Sequence, residues 1–396
     1  YRTRNGRITK RRRTNDKKFC SRVFEAECPT SLVREMEKTE KGYSEQLWSK
    51  MSEVGWLSLV IPEAYGGSGF GMTTLGIVMS ETGRVLAPVP FHSTMTSALA
   101  ISDFGSEQQK QEILPLVADG NQILTWAFSE EDPRYLPETI NASGEIKGDQ
   151  LVINGTKMFV DNFEAADQIL IVCRTSTEDN PQDGITVCIA DAKDTAFTNV
   201  PLTTIAKDRQ SRIEINNLSI SQENIIGEIG KGWPIVSNML NKSTALLCAQ
   251  LVGAAKKDSE IAIDYAKNRT AFGRPIASFQ SVSHMCADMT IWVDGCELLT
   301  FEALWKMDQG LPYSIEVSQA KSFCNEKCLA TARTSQVIHG GMGFMMEFDL
   351  HLWYRRIAAW TMRLGTTYEH RKKIASALIA HEGPVRLGMN LEAVNI

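Results

Sequence analysis

The residues most able to do chemistry in this 396-residue chain cluster in its last third. Arg269 lies in the run Tyr265-Ala-Lys-Asn-Arg-Thr-Ala-Phe272-Gly273-Arg-Pro-Ile276-Ala-Ser-Phe279-Gln280, and its guanidinium offers a bidentate donor fork suited to a pyrophosphate. Taken alone, an arginine at a helix end is ordinarily a solvated surface charge, and Phe272 and Phe279 are ordinarily core aromatics. In Gln336-Val-Ile-His-Gly-Gly-Met-Gly-Phe344, the glycines 340, 341 and 343 let backbone approach a ligand closely, the plain alternative being a helix-to-helix turn. Cys324 and Cys328 stand one helical turn apart, a spacing that can touch a metal. No CxxC and no histidine at ligand spacing accompanies them, so core thiols and no metal site are expected. GxSxG, HExxH, Walker and GxGxxG patterns are absent, and Gly66–Gly71 lacks the strand–turn–helix setting that cradles a pyrophosphate.

Positioning such residues takes a chain of several domains, since the length predicts two or three. From about Ser31 to Gln122 apolar residues recur at helical spacing, interrupted by the glycine-rich loop from Pro62 to Gly71. Between Ile123 and Ile226 short β-branched runs alternate with turn dipeptides such as Asn154-Gly155 and Asp183-Gly184, which reads as an antiparallel β domain without helical crossovers. Beyond Gly232, apolar stripes over Leu246–Lys267, Val282–Gln309, Tyr313–Ser335 and Thr367–His381 predict a four-helix bundle. The expected architecture is therefore α+β and multidomain: a tail at 1–30, an N-terminal helical domain at 31–122, a middle antiparallel β domain at 123–229 and a C-terminal helical bundle at 230–396. This order argues against Rossmann and TIM architectures.

Composition narrows the class further. With 28 Gly and 13 Pro the chain is neither fibrous nor disordered, and no stretch of about 18 uncharged apolar residues predicts a membrane span. Nine scattered cysteines fit reduced thiols in a cytosolic or organellar-matrix enzyme. Residues 1–18 hold nine Lys/Arg and one acid, and the remainder carries 33 basic against 46 acidic residues, so a basic tail precedes an acidic body. Such a tail has the charge to bind nucleic acid or to target the chain, although a silent disordered terminus is the plainer reading and no nucleic-acid partner is expected.

The run from Tyr265 to Gln280 resembles the signature of the acyl-CoA dehydrogenase family, Tyr-Ala-x-x-Arg-x-x-Phe-Gly-x-x-Ile-x-x-Phe-Gln. Gln336–Phe344 is similar to the family's Gln-x-x-Gly-Gly-x-Gly-Tyr loop, with Gln336 one residue early, and Leu364-Gly365-Thr366 resembles its Glu-Gly-Thr segment. The likeness spans roughly residues 31–385. It implies FAD as cofactor, with Arg269, Phe272, Phe279, Gln280, Gln336, Gly340, Gly341 and Thr366 facing it, some of them toward the cofactor of a neighbouring subunit. In the β domain, Phe128 and Ser129 resemble the family's flavin-contacting aromatic and hydroxyl positions. Phe159 stands where the family has a flavin-stacking Trp, and Asp161 where it has Thr. The loop Glu131–Glu138 replaces a Pro-Gly-Ala-Gly-Ser-Asp turn.

The family removes an α-proton from an acyl-CoA thioester with a buried glutamate while the β-hydride leaves to flavin, giving a 2-enoyl-CoA. At the usual glutamate position this chain has Leu364, and at the alternative position, on the helix preceding the signature, it has Ser243. Three readings follow. The chain is a subunit of a heteromeric enzyme lacking its own base, or the base has moved, with Glu369 and Glu347 nearest in sequence, or it is a non-dehydrogenating flavin oxidase or oxygenase. A non-enzymatic scaffold stands outside these. The resemblance also implies a homo- or hetero-tetramer, an electron-transfer flavoprotein as electron acceptor, and a bacterial cytoplasm, with the mitochondrial matrix as the alternative. Thr82-Gly-Arg-Val-Leu-Ala-Pro-Val-Pro-Phe91 is similar to bacterial catabolic members.

Overall fold

The computed structural model describes residues 17–386 and 389–391. Most of the basic tail, positions 1–16, lies outside the described residues, while residues 17–27 form a helix, α1. Two compact units follow from the packing. One takes residues up to Val33, Gly71–Ala87 and Thr244 onward; the other takes Arg34–Phe70 and Pro88–Ser243. The short α2 (Thr30–Met36) contains the first of these boundaries.

The second unit holds α3 (Glu45–Glu53), α5 (Phe91–Phe104), α6 (Glu107–Ala118) and the sheet. Helix starts follow local chemistry: the Ser44 hydroxyl accepts from Leu47 N–H, and Ser106 with Gln109 forms a capping box. The Gln109 amide then donates to the carbonyls of Glu223 and Ile225, tying α6 to the end of the sheet.

The strands are β1 (Leu124–Ala127), β2 (Ser143–Lys147), β3 (Gln150–Asp161), β4 (Gln168–Arg174), β5 (Ile185–Asp191), β6 (Phe197–Leu202), β7 (Gln210–Ser221) and β8 (Ile225–Ile226), in the order β6-β7-β3-β2-β4-β5-β8, with β1 alongside β4. Pairing is antiparallel except where β1 and the first residue of β2 run parallel to β4. One expectation is corrected: Asn154-Gly155 is no hairpin turn but lies inside β3, at a shift in its register against β7. Gly155 permits this because its backbone passes so close to Ala142 that a Cβ would stand 2.7 Å from Ala142 Cα. A second shift, between Lys157 and Val160, matters for the site below.

The first unit contains α4 (Met72–Val85), most of α7 (Trp233–Asn268), α8 (Gln280–Asp308), α9 (Ser314–His339), α10 (Leu350–Trp360) and α11 (Thr367–Ala380). The expected bundle is α7, α8, α9 and α11; α10, which packs on α9, was not foreseen. Helices α4 and α7 approach closely because glycines meet at their crossing: a Cβ on Gly253 would stand 1.7 Å from Ser80 O, and one on Gly83 2.1 Å from Gln250 O. Asp308, at the C-terminal end of α8, accepts from the Met72 and Thr73 N–H groups at 2.5 and 3.0 Å and so supplies the carboxylate that the N-terminus of α4 needs. Among the described residues no helix is long and apolar enough to cross a membrane. The α+β organisation, helices then sheet then helical bundle, is as expected.

Candidate active site

The signature run forms a two-residue hairpin between Thr270–Ala271 and Arg274–Pro275. Its corner residues, Phe272 and Gly273, both adopt left-handed backbone (φ 55° and 79°), the pattern that suits a primed turn and that glycine accepts without strain. The turn pushes the Phe272 ring out to 93% exposure, edge-on to Phe279 at 6.1 Å, with the Arg274 guanidinium 4.2 Å above the Phe279 ring. Arg269, just before the hairpin, and Gln280, which opens α8, are exposed.

The glycine loop continues from α9. A Cβ on Gly340 or Gly341 would meet nothing within 4 Å, so the backbone there lies open. Under the loop the Gln336 side chain is buried, against Gly343, while Val337 is 64% exposed. His339, the last residue of α9, has its Nδ1 2.8 Å from Ser335 O and stacks its ring on Tyr265 at 4.3 Å. The Gln336 Oε1 and His339 Nε2 atoms are buried without a hydrogen-bond partner. Burial holds the His339 pKa below its usual value, so the ring is neutral; with Nδ1–H donating to Ser335 O, Nε2 is an acceptor.

The Leu364-Gly365-Thr366 segment is a rigid turn. Leu364 (φ 56°, 6% exposed) and Gly365 (φ 99°) both take left-handed backbone. Buried side chains hold their carbonyls: His370 Nε2–H donates to Leu364 O at 2.8 Å, and Asn325 Nδ2 donates to Gly365 O at 3.1 Å. Lys321 Nζ in turn donates to Asn325 Oδ1 and to Trp360 O, at 2.6 and 2.9 Å. A Cβ on Gly365 would stand 2.6 Å from His370 Nε2, so glycine is required there. Desolvation pushes the His370 pKa down to about 3, which keeps the ring neutral. Thr366 caps α11: its hydroxyl accepts from Glu369 N–H, while Glu369 Oε2 accepts from Thr366 N–H at 2.7 Å and from its hydroxyl at 2.8 Å. The Glu369 carboxylate is thus engaged in a capping box, and Glu347 is exposed.

In the sheet unit, Phe128 is buried and stacks on Tyr135 at 5.7 Å, and Ser129 O accepts from Met158 N–H at 2.8 Å. The second register shift of β3 leaves Phe159 in left-handed backbone with its ring half exposed, a bulge that re-aims one side chain out of the sheet. Asp161 O accepts from the Thr125 hydroxyl at 2.5 Å. Beneath them, fully buried Lys157 donates to Glu130 Oε1 at 2.8 Å and Phe128 O at 3.1 Å, and Glu130 accepts from Asn141 and Ala142 N–H. Desolvation lowers the Lys157 pKa, opposed by Glu130.

One polar pair escaped sequence reasoning. Buried Ser243 has His92 beside it, with His92 Nε2 2.9 Å from Ser243 O and 3.3 Å from Ser243 Oγ. The two are 151 positions apart, and the only signal was a histidine near the start of α5. The structure brings Phe128, Ser129, Phe159 and Asp161 into the sheet unit and the remaining candidates, except Ser243, into the bundle unit.

Residues 17–121 match the family model described as "Acyl-CoA dehydrogenase, N-terminal domain", and residues 230–379 match "Acyl-CoA dehydrogenase, C-terminal domain". The chain is 28% identical over 356 residues to an acyl-CoA dehydrogenase of Bacillus subtilis (strain 168), covering 87% of this chain and 92% of the relative. It is 26% identical over 369 residues to the caffeyl-CoA reductase-Etf complex subunit CarC of Acetobacterium woodii, covering 92% and 97%. The ChsE4-ChsE5 complex from Mycobacterium tuberculosis contains a chain that superposes with a TM-score of 0.85 at 26% identity, covering 94% of this chain and 98% of that one.

The class these findings define is the FAD-dependent flavoprotein oxidoreductases. Within it, the chain belongs to the acyl-CoA dehydrogenase family. Its residues fit that cofactor: the open backbone of Gly340 and Gly341 beside the unpartnered buried acceptors of Gln336 and His339 leaves room and polar capacity for a ligand, and exposed Phe159 and Phe272 offer aromatic faces.

Proposed function

We propose that the chain is a subunit of an acyl-CoA dehydrogenase that oxidises an acyl-CoA thioester at Cα–Cβ, and that it lacks the usual carboxylate base. The observation that carries this reading is the Leu364 turn, where the backbone is held by buried His370 and Asn325 but the side chain is aliphatic. Bound FAD supplies the hydride acceptor. Arg269 and Gln280 offer donors to a dinucleotide, and Phe159 offers a ring face to its isoalloxazine. The Leu364 N–H remains a donor for a thioester carbonyl, because that group does not depend on the side chain. Losing a positioned base costs on the order of 10²–10⁴ in rate.

On this reading a partner subunit completes the site, in a tetramer, and electrons pass to an electron-transfer flavoprotein. The name of the Acetobacterium relative, an Etf-complex subunit, supports that acceptor. The same reading places the protein in lipid or related acyl-CoA catabolism in a bacterial cytoplasm, and keeps the three-part division with boundaries near 122 and 230, which the limits of the two family matches support.

Stopped-flow mixing of the purified flavoprotein with butyryl-CoA, octanoyl-CoA and palmitoyl-CoA tests the proposal. Flavin bleaching by the chain alone should be slow, and bleaching at ordinary dehydrogenase rates overturns it. A second reading rests on the His92–Ser243 contact: His92 Nε2 lies 3.3 Å from the hydroxyl of Ser243, the residue that by resemblance stands at the family's alternative base position. If bleaching is fast and His92→Gln abolishes it, that reading replaces the first.

A further inference from the structure

The bundle core contains a sulfur cluster that the proposed reaction does not use. Cys296 on α8 and Cys324 and Cys328 on α9 are fully buried, and their three Sγ atoms all lie within 4.8 Å of one another. Cys296 and Cys328 are 3.8 Å apart. Cys248 on α7, also buried, is within hydrogen-bonding reach of Cys324. The Thr300 hydroxyl lies 3.6 Å from Cys324 Sγ.

A buried cysteine by itself is a small apolar filler. Four from three helices, converging beside a fully buried lysine, call for more. Lys321 stands one turn before Cys324, and its charge interacts with Cys248, Cys324 and Cys328. Burying an ammonium is costly unless negative charge opposes it, and Lys321 donates to the neutral oxygens of Asn325 and Trp360. Around a divalent cation, three thiolates leave one negative charge, which Lys321 balances. Zinc–sulfur bonds of about 2.3 Å in a tetrahedron require sulfur–sulfur edges of roughly 3.8 Å, the separation of Cys296 and Cys328.

We propose that Cys296, Cys324 and Cys328 form a buried structural site for a thiophilic divalent cation of the zinc class. Binding exchanges each thiol proton for a metal–sulfur bond, releasing one proton per ligand with no change of oxidation state. Because the thiols are buried, the ion enters before the bundle closes.

The test uses the full chain expressed in medium supplemented with zinc or with cobalt and purified under a non-chelating reductant. Elemental analysis should find about one ion per chain, and the cobalt form should show tetrahedral d–d bands to the red of flavin absorption. Cys296→Ala and Cys328→Ala should lose the ion, while Cys286→Ala, a half-exposed cysteine on α8, should keep it. Should the alanine variants not fold, X-ray absorption of the zinc-loaded wild type decides: a sulfur shell at about 2.3 Å supports the site. A metal-free wild type, an ion retained by folded Cys296→Ala, or a shell of nitrogen and oxygen alone overturns it.

Discussion

On the proposed reading, Leu364 is the residue on which the chemistry turns. Its neighbours hold the main chain by two side-chain hydrogen bonds, so the backbone is fixed in place and yet carries no ionisable group. Leu364→Glu should therefore restore function: at a site this buried the new carboxyl has a raised pKa and gains basicity. We expect at least a roughly tenfold faster flavin bleaching by acyl-CoA, rising with pH. Unchanged bleaching in a folded, FAD-loaded variant rejects Leu364 as the vacated base position. Glu369→Gln is the matching control, since glutamine serves a capping box and the Thr366 cap survives. Its rate should match the wild type, and a loss of turnover would make Glu369 the base. The departure at Leu364 was legible in sequence because the Gly-Thr beside it is so local. The His92–Ser243 contact was not, since it joins α5 to a helix far along the chain and no spacing rule connects them.

At the scale of elements, helix α11 was readable from its apolar stripe, while the hairpin at Phe272-Gly273 and the capping box that opens α11 were seen only in the structure, although both rest on short-range chemistry. Phe-Gly at a tight turn and Thr366-x-x-Glu369 before a helix both act within four residues. The bulges of β3 were not readable, because Asn-Gly is also the strongest hairpin signal and only pairing with β7 reveals that the strand continues. Cys296 was missed beside Cys324 and Cys328 for a similar reason: the rotation of α8 against α9 decides which of its faces meets theirs. Helix α11 also makes a pH prediction. His370 has its folded pKa depressed to about 3 from 6.5, so the unfolded chain takes up a proton that the folded one refuses. The stabilisation is fully present above about pH 6.5 and is lost as pH falls toward 3, at about 1.4 kcal/mol per pH unit as an upper bound. Urea unfolding at pH 7, 5.5 and 4.5 should show His370→Gln losing less stability on acidification than the wild type. Parallel curves reject the assignment.

For the molecule as a whole, the proposed reading has the FAD-facing residues of one chain serve the cofactor of another. Light scattering should give a mass about four times the 44.0 kDa chain, alone or with a partner subunit. A monomer at micromolar concentration would contradict the shared site. The acidic body carries every residue of the candidate site, so removing positions 1–16 should leave FAD content unchanged. The Lys157–Glu130 pair has a different reach. Losing either partner strands a buried charge at about 3–5 kcal/mol, a large part of the roughly 5–15 kcal/mol that keeps a domain folded. From a background near the low end of that range, neither position can change alone and leave the domain folded. Over evolutionary time the two therefore behave as one inherited character, and an exchange of both for apolar residues must pass through a sequence already stabilised elsewhere.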